Sequence, residues 1–245
     1  MNNIEKLKFM IEQSSNIVFF GGAGVSTESN IPDFRSDEGL YKTKSKFKYP
    51  PETMLSHSFF VNHTEEFFNF YREMMIFKDA KPNLAHNKLA ELEKRRKLSA
   101  VITQNIDGLH QIAGSQNVLE LHGSIHRNYC MKCGKAFNLD YVLSSKNVVP
   151  VCDECGGIVK PDVVLYEESL NMDVIEKSVQ HIREADMLIV GGTSLVVYPA
   201  AGLVEYYKGN KLVLINKSST PYDKNADLVI NDSIGKVLNS AIVKS

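Results

Sequence analysis

The chain has 245 residues, with 28 lysines and arginines against 29 aspartates and glutamates and a formal net charge of −1. Hydrophobic residues make up 43% and charged residues 23%, ordinary for a globular chain that buries its own core as one large domain or one domain with an insertion. No apolar run approaches the roughly 18 residues of a membrane helix, and no basic block offers a footprint for DNA or RNA, so membrane, collagen-like, disordered and disulfide-scaffold classes are excluded.

The first residues carry Glu5, Lys6 and Lys8 where a signal peptide would be apolar, which predicts a cytoplasmic protein. Ile4, Leu7 and Ile11 recur at helical spacing and predict a helix ending near Ser14 and Ser15. Residues 16–20 read as a short buried strand running into Gly21-Gly22-Ala23-Gly24. Comparable apolar runs occupy residues 100–103, 187–190, 211–215 and 227–230, each bounded by Gly, Asn or Asp, as parallel strands covered on both faces are. Helical patterns fill residues 83–93 and 173–182, and the alternation predicts an α/β fold with a doubly wound parallel sheet. Two stretches break it: residues 36–80, polar and then Phe-rich (Phe67, Phe68, Phe70, Tyr71), and residues 123–161, which hold every cysteine. They are expected to build a smaller lobe, leaving residues 1–35, 81–122 and 162–245 to the main domain.

Ligands of open α/β sheets bind beyond the carboxyl ends of the strands, so those loops are where chemistry is sought. The first, Gly21 to Thr27, suits close approach of backbone N–H groups to a pyrophosphate. It matches only part of G-x-G-x-x-G, and no carboxylate follows about 20 residues on, so a plain tight turn is equally open. Cys130, Cys133, Cys152 and Cys155 form C-x₂-C-x₁₈-C-x₂-C, a zinc-ribbon spacing. Four thiolates fill a tetrahedral ion and leave no place for water, so such a site is structural. Thr103 to His110 clusters polar groups at a strand end, as a ligand loop or as an Asn-x-Asp-Gly turn. His122 stands at another strand end beside the lobe boundary, as a packed residue or a general base. Gly191-Gly192-Thr193-Ser194 and Ile215-Asn216 are two further polar exits, and several on one edge favour an extended ligand.

Together these segments resemble the sirtuins, NAD-dependent protein lysine deacylases. The resemblance rests on Gly22-Ala23-Gly24-Val25-Ser26, Ile31-Pro32-Asp33-Phe34-Arg35, Thr103 to His110, His122-Gly123-Ser124, the four cysteines, and Gly192-Thr193-Ser194-Leu195 with Tyr198-Pro199. They run in the family's order over nearly the whole chain. The resemblance implies a Rossmann-type NAD-binding domain, and a small lobe with residues 36–80 as helical module and 123–161 as zinc ribbon. It implies that Gly22, Ala23, Gly24, Thr27, Asp33, Phe34 and Arg35 wrap the NAD. Gln104, Asn105, Ile106 and Asp107 would line the nicotinamide pocket. Thr193, Ser194 and Asn216 would hold the adenosine half, with Gly192 and Ile234 also against the cofactor. His122, with Asn105, would be catalytic: it would deprotonate a ribose hydroxyl after the acyl-lysine oxygen has displaced nicotinamide. Products would be free lysine, nicotinamide and O-acyl-ADP-ribose. Acylated lysine proteins or peptides are the implied partners, with no membrane and no direct nucleic-acid binding. Transfer of ADP-ribose to a protein is the alternative reaction.

Two departures carry expectations. The family's Phe-Gly-Glu after the ribbon reads Tyr166-Glu167-Glu168 here, which sets a carboxylate beside the peptide strand and predicts a preference for basic flanks. Members that remove succinyl carry Tyr-x-x-Arg in the acyl-tunnel helix. With Tyr71 as that tyrosine, the arginine position is Met74, and Arg72 points about 100° away, so the tunnel is expected to be apolar.

Overall fold

The computed structural model describes residues 1–33 and 47–243. Its main sheet is built from strands buried on both faces: β1 (Ile17–Gly21), β2 (Leu98–Thr103) and β3 (Val118–Glu120) early in the chain. Two elements of a second sheet, β4 (Gly123–Cys130) and β5 (Ala136–Asn138), come next, then β6 (Val159–Val163). The main sheet resumes with β7 (Met187–Gly191), β8 (Leu212–Ile215) and β9 (Leu228–Ile230). All six main strands are parallel, in the order β3-β2-β1-β7-β8-β9, which is a doubly wound Rossmann-type sheet. The chain moves outward from β1 through β3 and then returns past β1 to β7, so the topological switch lies between β1 and β7.

Alternate residues of each strand feed opposite cores. Ile17, Phe19 and Val101 pack with Leu7, Leu89 and Leu238. These come from α1 (Asn3–Glu12), α5 (Leu84–Lys94) and α9 (Ile234–Ala241). Val18, Phe20 and Val190 face the other way, toward Ile182 and Leu203. Ile182 belongs to α8 (Met172–Glu184), and Leu203 to a 3₁₀ segment, Ala200–Tyr206. Each such side chain, taken wholly out of water, contributes about 1.5–3 kcal/mol before entropy is counted. The helices begin where their caps stand: Asn2 and Glu5 form a capping box on α1, and Asn83 caps α5.

The second sheet is antiparallel, ordered β5-β4-β6. Against it pack α2 (Pro51–Met54), α3 (His57–Asn62), α4 (Thr64–Met74) and α7 (Leu139–Ser144). Phe59, Phe60, Phe67, Phe68, Phe70 and Tyr71 share one core with Ile125, Leu139, Val163 and Leu165, so the Phe-rich helix is the core of a lobe to which both insertions contribute. Among the described residues, no helix is long and apolar enough to cross a membrane.

Register decides what the sheet can do. Glu120, Thr103, Gly21, Gly191, Ile215 and Ile230 stand level across the six strands. Every following loop therefore leaves from one edge of the sheet, the edge that faces the lobe.

Candidate active site

The loops after β1 and β7 meet at the switch point. Gly24 donates its N–H to the Gly192 carbonyl at 2.8 Å and Gly22 donates to the Gly191 carbonyl at 3.4 Å. A Cβ on Gly24 would lie 2.8 Å from the Gly192 Cα, and one on Gly192, whose φ is 61°, would lie 2.4 Å from the Val25 nitrogen. The glycines are thus required by the close approach of two loops, a reason the sequence reading did not contain. A phosphate loop and a plain tight turn were equally open there; the N–H groups of Gly22 and Gly24 are taken by β7-exit carbonyls.

From this junction, hydrogen bonds run both ways along the edge. The Ser26 hydroxyl accepts from the Asn105 amide at 3.0 Å and donates to the Asp107 carboxylate at 2.7 Å. The other Asp107 oxygen accepts from the Leu109 N–H at 2.9 Å. Toward β8, the Gln104 side chain donates to the Thr193 hydroxyl at 3.1 Å, and the Thr193 N–H donates to the Asn216 side-chain oxygen at 2.9 Å. Thr27 turns its hydroxyl back onto the Gly24 carbonyl at 2.9 Å. Asn83 fastens the loop from behind through the Val25 carbonyl and the Ser29 hydroxyl.

His122 sits where β3 leaves the main sheet and β4 begins. The turn depends on Gly123, at φ 75°, where a Cβ would fall 1.9 Å from the Asp162 carbonyl oxygen. The His122 Nδ1 lies 3.0 Å from the Gln104 carbonyl. A carbonyl can only accept, so Nδ1 carries the proton and Nε2 keeps its lone pair. Burial lowers the His122 pKa below its ordinary value by more than the Gln104 carbonyl raises it, so the ring is a neutral base at neutral pH. Behind Asp107, His86 and His110 are buried with their rings 4.7 Å apart, and burial brings them to about 4 and about 3. They stay uncharged beneath the site.

Gly22, Ala23, Gly24, Thr27, Asp33, Gln104, Asn105, Ile106, Asp107, His122, Gly192, Thr193, Ser194, Asn216 and Ile234 all line one cleft of about 690 Å³ between sheet edge and lobe. Phe34 and Arg35 lie outside the described residues. Among the described residues the Asn216 Nδ2 is buried without a partner, an orphaned donor on a residue that lines the cleft, which suits a ligand rich in acceptors such as a dinucleotide. Sequence reasoning placed Ser26 in a motif but gave it no role of its own; its hydroxyl joins two site residues. Leu55 and Met75 went unremarked, because they reach the cleft from the lobe and carry no motif.

Met74 lines the cleft, while Tyr71 is buried in the lobe core and stacked on Phe67 at 5.7 Å. Arg72 turns away and donates to the Val142 and Asn147 carbonyls at 3.0 and 3.2 Å. Among the described lining residues Lys217, beside Asn216, is the one Lys or Arg.

The four cysteine sulfurs lie within 4.8 Å of one another, with Cys130 and Cys155 at 3.4 Å and Cys133 and Cys152 at 3.7 Å. Tetrahedral zinc with bonds near 2.3 Å needs sulfurs about 3.8 Å apart, and an S–S bond needs about 2 Å, so the set fits the metal and not two disulfides. Lys132 and Cys133 direct backbone N–H groups at the Cys130 sulfur, as thiolate ligands receive.

A family model described as the Sir2 family matches residues 22–199. An NAD-dependent protein deacetylase of Clostridium acetobutylicum is 71% identical, covering 99% of this chain and 99% of the relative. The protein of that name from Clostridium perfringens is 61% identical, covering 98% and 99%. Among solved structures, Sir2 with p53 peptide and NAD+ has a TM-score of 0.85 at 38% identity, covering 97% of this chain and 96% of that one.

Proposed function

Because the chain belongs to the Sir2 family, we infer that it is an NAD-dependent protein deacetylase. The observation that carries this reading is the single cleft lined by a proton-free His122 Nε2, by Asn105 and Asp107, and by the orphaned Asn216 amide. NAD is the co-substrate, and the four cysteines hold a structural zinc.

The placement of the residues supports a role for each. The β1 and β7 exits hold the two phosphates and the adenosine, with Asn216 Nδ2 donating to a ribose or base acceptor. Asn105 and Asp107, fixed through Ser26, hold the nicotinamide carboxamide where its loss leaves the ribose carbon open to the acyl oxygen. Keeping both reactants in line supplies a large part of the rate. His122 takes the proton of a ribose hydroxyl through Nε2, and the Gln104 carbonyl keeps the ring in the tautomer able to do so. Acylated lysine proteins are the substrates, while the near-zero net charge supports no role for nucleic acid. Four thiols set for a metal support a cytoplasmic setting.

Nicotinamide release tests the reading. It is expected to require both NAD and an acetyl-lysine peptide. Release without peptide, with label appearing on protein, would point to ADP-ribose transfer, and no release at all to a binding module.

The acyl end of the cleft is walled by Leu55, Met74, Ile106 and Leu165, with Arg72 engaged elsewhere. A succinyl carboxylate placed there would be desolvated and unpaired, so acetyl should be removed at least about tenfold faster than succinyl from matched peptides. Comparable rates would show an unrecognised cation at that end.

A further inference from the structure

The segment between β6 and α8 closes one side of the cleft. Its Val164 N–H donates to the His122 carbonyl at 3.0 Å. Its Tyr166 pairs with the corner between α2 and α3: the N–H donates to Leu55 at 3.0 Å, and the carbonyl accepts from the His57 N–H at 2.9 Å. The next residue, Glu167, has a φ of 75°, in the left-handed region that side chains disfavour. There its carboxylate reaches back to the same corner. One oxygen accepts from the Ser58 N–H at 2.8 Å and the other from the Ser58 hydroxyl at 2.9 Å. Both oxygens are therefore engaged within the protein, although the carboxylate keeps its charge, because the Ser58 donors are neutral.

We propose that Glu167 is a positioning residue for the acylated peptide. By tying the 163–168 segment to Ser58, it fixes a strand that lines the same cleft as Val197 and Tyr198 of the β7 exit. An extended peptide that pairs with the strand then meets a fixed edge, and less ordering remains to be done on binding. The proposal rests on the deacetylase reading, because a peptide must pair with that strand. It assigns Glu167 an effect on peptide affinity through its tie to Ser58.

Steady-state kinetics of the wild type, Glu167→Gly, Glu167→Gln and Ser58→Ala provide the test. Glycine suits the left-handed backbone, so E167G folds without strain. E167G should raise the peptide KM about three- to tenfold, the loss of a hydrogen-bond pair, and S58A, which keeps the Ser58 N–H bond, should raise it less, while the NAD KM moves by less than about twofold. The double variant should go no further than E167G, since both break one link. E167Q keeps an acceptor for the Ser58 N–H and should rise less. An unchanged peptide KM in E167G, or a rise in E167Q as large as that in E167G, would overturn the proposal. A wild type that releases no nicotinamide with peptide would instead defeat the deacetylase reading, so the two failures are distinguishable.

Discussion

Replacing His122 with alanine is expected to slow deacetylation by about two to four orders of magnitude while the protein stays folded. The ring does little for packing: it is half-buried at a lobe boundary and makes one hydrogen bond, to the Gln104 carbonyl. Its value lies in an unprotonated Nε2 on a ring that lines the cleft. The pH profile offers an independent check. The active form is the neutral one, and burial lowers the pKa, so the ring remains a base at acidities that would protonate an ordinary imidazole. The acidic limb of kcat/KM should therefore fall below the usual value of about 6.5. A limb above that value would mean that the titrating base is another group, or that His122 is stabilised in its charged form. Full activity in H122A would remove the residue from the mechanism.

Losing one zinc ligand should have the largest effect on stability. The ribbon core consists of Cys130, Val142, Cys152 and Val159, so two of its four buried residues are themselves ligands. β4 and β6 also reach the lobe core through Ile125 and Val163, but the cysteine end of the ribbon has little apolar surface of its own, so the metal supplies much of its stability. Cys130→Ser or Cys155→Ser should drop the zinc content well below one equivalent and lower stability by several kcal/mol, on the order expected for a structural site. Activity should follow, because β4 begins one residue after His122 and pairs through Gly123 with Val163 of β6, at the cleft wall. A chelator should reproduce the loss in the wild type. A serine variant that retains a full equivalent of zinc would break the ligand assignment.

The sheet was legible in the sequence because buried strands advertise themselves. Runs such as Ile17–Gly21 and Met187–Gly191 are apolar throughout, since side chains on both faces enter cores. Strand order and register were not legible, for they arise from pairing between distant segments. It is the level alignment of Thr103, Gly21, Gly191 and Ile215 that turns separate polar loops into one site. His122 shows the same limit. By itself it was one histidine at a strand end; the Gln104 carbonyl that fixes its tautomer comes from a neighbouring strand exit. Gly24 was singled out for a ligand, whereas its nearest constraint is the Gly192 backbone. For Glu167 the charge was read and its destination missed, because Ser58 lies more than a hundred residues earlier in the chain. The zinc site was the simplest to find, since both halves are local Cys-x-x-Cys turns and only their meeting is tertiary.

The most direct measurement is the mass of what forms when the protein is incubated with NAD and an acetyl-lysine peptide. The account predicts one free lysine, one nicotinamide and one O-acetyl-ADP-ribose per turnover, with all three absent when either reactant is withheld. Free acetate with NAD left intact, or ADP-ribose attached to protein in place of the acetylated sugar, would contradict it.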